Sequence, residues 1–582
     1  MGNESSKTSN LNAPLLSLQS DICNNNMDHS SSTSALEWPE EVAKRVKLIV
    51  PTKYDPYQDP ENPSLCYIRF DKEKKKFIVA SDFDTTTTQT ILDVVDPEDI
   101  INIKVEIELL TGAPTSRGQE EHIVRNDGEE GEQHRATNEP PVDTLGDTYG
   151  RAILSIFAYP KRNLSEESIL NSCGMKRKPE EPFRELSEGT TPEEAVKSQQ
   201  LGHRHKHHRH FRVAPSEDMT DLSTLVQAMR RIVSPVDSTS LDERRLLIII
   251  NPVSGKKTAV DVYEKTVAPM LEEASVSYDF FITSYARHAE ERMHQQPTNG
   301  ELRDISDYSG IVSIGGDGVV HEILQGIHSR PDAKEILKNL KIGMVGAGTS
   351  NGLSATLAHA SDEKFSPMDS AFMIAKGKTS AIDLSLYETT NKSYLSFLTF
   401  SWAYIADIDI ESEAIRFMGF LRFDLWGALR VVTLRKYRAK FSYLPPTEDR
   451  STGVTLPPLN QPLPTDEGWV YCEDDFVVFW ASQVTHAGEQ MHHSPPSKID
   501  DGVFNIFIVR GNVSRFRLAL IALTMAHGGQ VDMPCVEFIQ CTAYRLEPIT
   551  MGSFNDLDGE VVEPGPIQAA VIPGAIQAFC NP

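Results

Sequence analysis

The chain has 582 residues and a formal net charge of -26. That length leaves room for roughly two to four domains and a large buried core. The acidity excludes a general nucleic-acid binder, which needs a basic face for the phosphate backbone, yet it leaves room for a local patch that meets a membrane.

Seven cysteines without a CxxC pair predict a reducing, intracellular setting, with no disulfide framework and no cysteine-ligated zinc. The start, MGNESSKTSNLNAPLL, has no basic and apolar leader, so no secretory signal is expected. No window is apolar enough to predict a membrane span. Gly2 with Ser6 satisfies the pattern for N-myristoylation, although a polar tail that begins Met-Gly satisfies it equally. One acyl chain would hold a membrane only weakly.

Residues 1–35, rich in Ser and Asn, predict a disordered tail. Residues 36–170 predict a β-rich module, from the runs VKLIV (46–50), LCYIRF (65–70), KKFIVA (75–80) and IINIKVEIELL (100–110). An acidic insert at 111–148, with nine Asp and Glu against three Arg, interrupts it before AILSIFAY resumes the β pattern at 152–159. Residues 171–220 predict a low-complexity linker. Its tract HRHKHHRH, His203 to His210, reads as an exposed basic loop, since such a run has no fixed metal geometry of its own. From Asp221 an amphipathic helix carries Leu222, Leu225, Val226 and Met229 on one side.

Residues 244–375 alternate strands and helices and predict an α/β domain with a parallel sheet. Its strands are LLIII, SYDFFIT, GIVSIG and KIGMVG, the first a fully apolar run of the buried-sheet kind. Residues 376–582 predict a mainly β domain with a helical insertion at 409–437 and a last strand returning to the first domain.

Three Gly-containing turns follow strands of the α/β part: NPVSGKKT (251–258), GGDG (315–318) and GAGTSNG (346–352). Ligands of open α/β sheets sit beyond the C-terminal strand ends. Glycines there let phosphate oxygens approach backbone N–H groups, and the following helices offer more of them. The pattern says nucleotide, yet neither the Walker loop nor the dinucleotide GxGxxG is present.

Asp317, between glycines at a strand end, has no evident packing task; it is the candidate acceptor of a proton in phosphoryl transfer, against the bland reading of a turn former. Lys256 and Lys257 are candidate phosphate contacts or plain surface lysines. Thr349, Ser350 and Asn351 offer phosphate donors, or a helix cap. His321 and Glu322 follow at helix-facing spacing. In the insertion, Asp407, Asp409, Glu411 and Glu413 suit an ammonium or hydroxyls, and Arg416 and Arg422 suit phosphates, although intrahelical ion pairs explain such a pattern too. Phe417, Met418, Phe420, Leu421, Phe423, Leu425 and Trp426 exceed one packed stripe and predict a lipid-tail lining or a membrane face. Asp558, Gly559 and Glu560 form another acidic turn facing the same cleft.

The ordered set NPVSGKK, SIGGDGVVHEILQG, GAGTSNGLSATL, SWAYIADIDIESEAIRFMG, LRKYRAKFSYLP and NDLDGE resembles the sphingosine kinases, or sphingoid long-chain base kinases, of the diacylglycerol kinase catalytic superfamily. The resemblance spans about Arg244 to Pro582, and the long N-terminal extension is similar to that of fungal members. It implies a two-domain lipid kinase fold: an N-terminal α/β nucleotide domain and a C-terminal, mainly antiparallel β-sandwich domain, here with an N-terminal β-rich extension. It implies ATP and Mg2+ in the cleft, with the lipid in a J-shaped pocket of the second domain. By motif, Asp317 takes the proton of the primary hydroxyl. Asn251, Lys256, Thr283, Gly315, Gly316, Gly318, Gly348, Thr349 and Asn351 line the nucleotide, and Arg416 and Arg422 meet its phosphates. Asp409 recognises the sphingoid amine and hydroxyl, while Glu413 and Glu560 frame the substrate, nucleotide and metal region; no metal ligand is assigned. The implied product is a long-chain base 1-phosphate. The implied partners are a sphingoid base and a peripheral membrane surface but no nucleic acid, with a homodimer left open. The implied place is the cytoplasm, against endoplasmic reticulum, Golgi, endosome or plasma membrane.

One departure stands out. The family has GSGN where this chain has GTSN, so Ser350 loses the tolerance for positive φ that a glycine has. The competing readings are a kinase for ceramide or diacylglycerol, a NAD kinase, and a non-enzymatic lipid-binding protein.

Overall fold

The computed structural model describes residues 38–49, 65–73, 75–80, 91–109, 150–163, 201–213, 219–233, 244–295, 303–418, 421–448, 453–464 and 468–581. The expected tail at 1–35, Gly2 and the acidic insert at 111–148 lie outside the described residues.

The N-terminal part is a seven-stranded antiparallel sheet. Its spatial order is Ile91–Val95, Lys76–Ala80, Leu65–Asp71, Leu48–Ile49, His207–Val213, Gly150–Ala158 and Ile100–Leu109. Alternation along these strands sends Ile68, Phe77, Ile103, Leu154 and Ile156 into one core. The helix Met219–Val233 closes that core with Leu222, Leu225, Val226 and Met229. The amphipathic helix therefore belongs to this module and not to the α/β domain it precedes.

The histidine tract departs from the expected linker at 171–220, of which residues 201–213 and 219–220 are described. Leu201–Arg204 and His207–Val213 are strands, the second in the middle of the sheet between Leu48–Ile49 and Gly150–Ala158. Here Arg209 is buried, His210 Nδ1 meets the Ser155 hydroxyl at 2.8 Å, and the His208 ring stands edge-on to Phe157 at 4.9 Å. Composition marks the tract as polar and exposed; the long-range ladder supplies the burial that composition hides.

The same tract docks the module. Arg204 is buried, donates to Asp99 at 2.8 Å and to Glu363 at 2.6 Å, and lies over the Phe372 ring at 3.6 Å. Lys376 reaches back to the carbonyls of Ile100 (2.9 Å) and Pro97 (3.3 Å).

The next lobe holds parallel strands in the spatial order Ser277–Ile282, Arg245–Ile250, Gly310–Gly315 and Lys341–Gly346. Leu246, Leu247, Ile248, Ile249 and Ile250 are all buried because helices cover both faces. The final strand, Ile567–Phe579, runs parallel to Lys341–Gly346 and antiparallel to Thr379–Glu388. It joins the lobes into one 15-stranded hydrogen-bonded sheet. The C-terminal lobe closes on an aromatic core that includes Phe400, Trp402, Phe441, Phe479, Phe504 and Tyr544. The result is two-lobed α/β: a mixed α/β region followed by a large multi-stranded, sandwich-like sheet.

The insertion begins earlier than the expected 409. It comprises the helix Tyr404–Ser412, the turn Glu413–Met418 and the helix Leu421–Thr433, with Arg515–Thr524 lying against the last. Among the described residues no helix is long and apolar enough to cross a membrane.

Candidate active site

The three Gly-containing turns meet at the C-terminal ends of the parallel strands. A Cβ on Gly255 would lie 2.6 Å from the Gly348 carbonyl carbon, and one on Gly348 would lie 2.5 Å from the Gly316 Cα. Three backbones thus touch where only hydrogen fits, which leaves a bare peptide surface for phosphate oxygens. Around it, Asn251 accepts from the Val253 N–H at 3.1 Å, Thr283 is buried at the neighbouring strand end, and Lys256 and Thr349 are exposed.

Asn351 shapes the third turn. Its φ is +58°, its Oδ1 accepts from Gly348 N at 2.7 Å, and its Nδ2 donates to Gly348 O at 3.1 Å. Asn tolerates this left-handed backbone better than most side chains. Ser350 is not among the positive-φ residues. Its carbonyl accepts from Glu489 N at 3.1 Å, so the turn does not need a glycine at 350.

Asp317 opens the helix Asp317–His328 after Gly316. It does have a packing task, contrary to the sequence reading. Its Oδ2 accepts from Gly352 N at 2.8 Å and its Oδ1 from Leu353 N at 3.0 Å, capping the helix Gly352–Ala360. Burial raises its pKa to about 6; the two N–H groups oppose that rise and Asp558 adds to it. A carboxyl tuned this way stays ionised near neutral pH and takes a proton more readily than an ordinary aspartate.

One helical turn on, His321 Nδ1 lies 3.0 Å from Asp558 Oδ2. Gly318 sits beside Glu560, whose Oε1 would be 3.3 Å from an added Cβ. Glu322, which follows His321 on the same helix, accepts from Arg287 N (2.9 Å) and Ala289 N (3.1 Å) and so fixes the helix His288–His294.

The acidic stretch splits in two because i and i+4 share a helix face. Asp407 and Glu411 are structural: Tyr437 and Arg435 hold Asp407, while Arg430, Arg435 and Trp426 hold Glu411. Asp409 and Glu413 face the site. Arg422 pairs with Glu413 and stays 3.8 Å from Asp409. Burial raises the Asp409 pKa, Arg422 opposes that, and Glu413 and Glu560 add to it. Asp556, which the sequence did not single out, is buried and accepts from the Ser401 hydroxyl at 2.6 Å; burial first, then the neighbouring Asp409, push its pKa well above the usual carboxylate value. Its only advance signal was its place in the acidic motif NDLDGE, two residues before the turn at Asp558 and Gly559. The backbone of Arg416 lies in the turn Glu413–Met418; its side chain is outside the described residues.

The cradle of touching glycines fits a polyphosphate. Among the described residues no group of three or more His, Cys, Asp or Glu is placed to hold a metal ion. Mg2+ that arrives with a nucleotide commonly takes only one or two carboxylates from protein.

Residues 245–387 match the diacylglycerol kinase catalytic domain, and residues 472–580 match the YegS C-terminal NAD kinase beta sandwich-like domain. Fold and site together define a lipid kinase of the diacylglycerol kinase catalytic class. Sphingosine kinase 2 of Arabidopsis thaliana is 30% identical over 345 residues, 56% of this chain and 69% of that one. Sphingosine kinase 1 of Homo sapiens is 30% identical over 351 residues, 56% of this chain and 89% of the relative. The chain belongs to the sphingosine kinase branch of the diacylglycerol kinase superfamily. Sphingoid long chain base kinase 4 of Schizosaccharomyces pombe is 26% identical over 348 residues, 57% of this chain and 73% of that one. Plant and human relatives match at least as well, so nothing here sets a fungal likeness apart.

Proposed function

We propose that the protein transfers the γ-phosphoryl group of ATP to the primary hydroxyl of a sphingoid long-chain base. The observation that carries the choice of substrate is the shortage of positive charge beside the phosphate cradle. Asp409, Glu413 and Glu560 cluster there, and the cation of that group, Arg422, is already paired with Glu413. A substrate ammonium supplies the missing charge; ceramide and diacylglycerol carry none.

Bound ATP supplies the phosphoryl group, and Mg2+ neutralises its charge. The N–H groups of the three turns hold phosphate oxygens, with Lys256 adding charge. Asp409 anchors the amine and aligns the hydroxyl. Asp317, ionised, takes the hydroxyl proton as the new P–O bond forms and the bond to ADP breaks.

A membrane surface suits the same reading. Leu421, Leu425, Leu429 and Val432 are exposed along one helix, and Phe516, Leu520 and Leu523 along its neighbour. Two adjacent apolar stripes fit a lipid interface through which a substrate enters.

The test is Asp409→Asn with labelled ATP and a panel of long-chain base, ceramide and diacylglycerol. A fall of about 10²-fold or more in kcat/KM for the base alone is expected. Undiminished use of the base would overturn the reading. Asp317→Asn should remove transfer to every lipid by about 10²–10⁴-fold.

A further inference from the structure

The first phosphate turn, 251–258, runs straight into a helix. That helix comprises Ala259–Val262, a π turn at Tyr263–Val267, and Ala268–Glu273. Pro269 accounts for the π turn, because a proline ring displaces the carbonyl four residues back and has no N–H to bond it. The phosphate turn has little room to move. Gly255 meets Gly348 backbone to backbone, so a small shift of the helix opens the cradle or crowds it.

The far end of the helix is finished by the N-terminal module. Val276 N donates to Leu271 O at 2.9 Å and Ser275 N to Glu272 O at 3.1 Å, the two bonds of a Schellman cap. Such a cap places one residue in the left-handed region, where glycine is the usual choice. Here that residue is Ser275, with φ +58°. The side chain that holds it comes from the module. Asn102 Nδ2 donates to Ser275 Oγ at 3.0 Å and to Glu273 O, the last carbonyl of the helix, at 2.9 Å. Ile103 N donates to Asn102 Oδ1 at 2.8 Å, which fixes the orientation of the amide. Lys104 Nζ reaches Glu272 O at 2.8 Å, a cation at the negative end of the helix. A bulge between Ile100 and Asn102 turns this stretch of strand out of the module. Ile101 thereby packs, with Tyr159, in the same cluster as Val267, Met270 and Leu271. The Glu273 carboxylate takes Tyr159, Lys206 and His208, the last at 3.2 Å.

We propose that Asn102 and Lys104 are positioning residues of the nucleotide site: by capping this helix from the N-terminal module, they set where its other end presents the first phosphate turn to Gly348. The inference rests on the proposed nucleotide site and not on the choice of lipid. Without Asn102, Ser275 loses the bond that offsets its left-handed backbone, and the last carbonyl of the helix loses its donor. The final turn then frays, and the helix no longer has a fixed stop.

The experiment titrates the full-length protein with Mg-ATP by calorimetry in the absence of lipid, and measures KM for ATP with a long-chain base as acceptor. Asn102→Ala should weaken ATP binding by about three- to tenfold, the net yield of one hydrogen bond, and raise KM for ATP alike while kcat holds. Adding Ser275→Gly to Asn102→Ala should restore most of the loss, because glycine keeps the left-handed cap unaided. Ile68→Val, in the module's own core, lowers stability without touching the cap and should leave ATP affinity native. Native ATP affinity in Asn102→Ala overturns the inference. So does a loss that Ser275→Gly does not restore, or an equal loss in Ile68→Val. If Asn102→Ala fails to fold, Lys104→Met takes its place, and native affinity there overturns the inference. If the native protein binds ATP but phosphorylates no long-chain base, the choice of lipid falls and the titrations still decide this point. If it binds no ATP, the kinase reading falls and takes this one with it.

Discussion

His321 Nδ1 and Asp558 Oδ2, 3.0 Å apart, tie the nucleotide lobe to the β lobe across the site. Asp558 is buried and also accepts from the Ser396 hydroxyl (2.7 Å), Leu398 N (3.1 Å) and Thr399 N (3.1 Å). Asp558→Ala should therefore cost about 3–5 kcal/mol in denaturant unfolding, because it strands several buried donors at once. Burial works against the charged His321 ring, but the hydrogen bond and charge of Asp558 outweigh it and raise its pKa. A raised histidine pKa gives stability that is complete below the unfolded value, about 6.5, and is lost as pH rises through the folded value. The stability gap between the native protein and His321→Phe should shrink in that direction. A gap that stays flat from acid to alkaline pH would mean the pair is not ionic.

Asp317 sets a pH limit on the reaction. With its pKa raised to about 6, it should leave an acid limb near that value in the kcat/KM profile. For stability the sign is opposite to that of a salt-bridged aspartate. The folded state holds this proton more tightly than the unfolded chain does, so this carboxyl makes the fold less stable as pH rises from its unfolded value towards 6. The two readouts should diverge between about pH 4 and 6, activity rising while this group's contribution to stability falls. A limb near 4 would show an unshifted acid.

The strands and turns of the catalytic lobe were legible because their cause is local. Runs such as LLIII and KIGMVG are apolar throughout, and glycines punctuate their ends. Asp317 stood out in the sequence as a candidate, but its capping role did not, since Gly352 and Leu353 reach it only after the chain has folded back. The split of the acids at 407–413 follows from helical spacing, yet which pair faces the site depends on Arg430, Arg435 and Tyr437, all beyond the motif. The histidine strand was hidden for the same reason: its neighbours in the sheet, Leu48–Ile49 and Gly150–Ala158, are distant in sequence. Asp556 was missed because its burial beside Asp409 is set by strand pairing between Thr399–Ala403 and Asn555–Leu557.

The third turn gives a paired test. Ser350→Gly, which restores the family's residue, should leave kinase activity unchanged and lower stability by about 0.4–1 kcal/mol, because it adds freedom to the unfolded chain without relieving strain. Gly348→Ala should do the reverse to function. Its new Cβ would meet the Gly316 backbone at 2.5 Å, pushing the phosphate turns apart at a cost of about 1–3 kcal/mol and weakening nucleotide binding. Differential scanning calorimetry and nucleotide titration separate the two. A gain of activity in Ser350→Gly would show that position 350 does need positive φ.

Arg204 is a buried ionic tether between the N-terminal module and the catalytic lobe. Its guanidinium is almost fully buried between Asp99 and Glu363 and above Phe372. Arg204→Ala should cost about 3–5 kcal/mol, since removing one member of a buried ionic group leaves the others without compensation. Burial already raises the Asp99 pKa and Arg204 opposes that rise, so the variant should raise it further. Lys206 provides the contrast from the same tract. It pairs with Glu273 but its side chain is 55% exposed, so Lys206→Ala should change stability by no more than about 1 kcal/mol. Hydrogen exchange locates the effect. In Arg204→Ala, protection should fall in Ile100–Leu109 and Pro367–Lys376, which Lys376 joins across the seam, while Arg245–Ile250 in the lobe's interior stays protected. Equal loss in all three segments would mean that the module and the lobe unfold as one unit, and that Arg204 is a core residue of a single domain and not a tether between two.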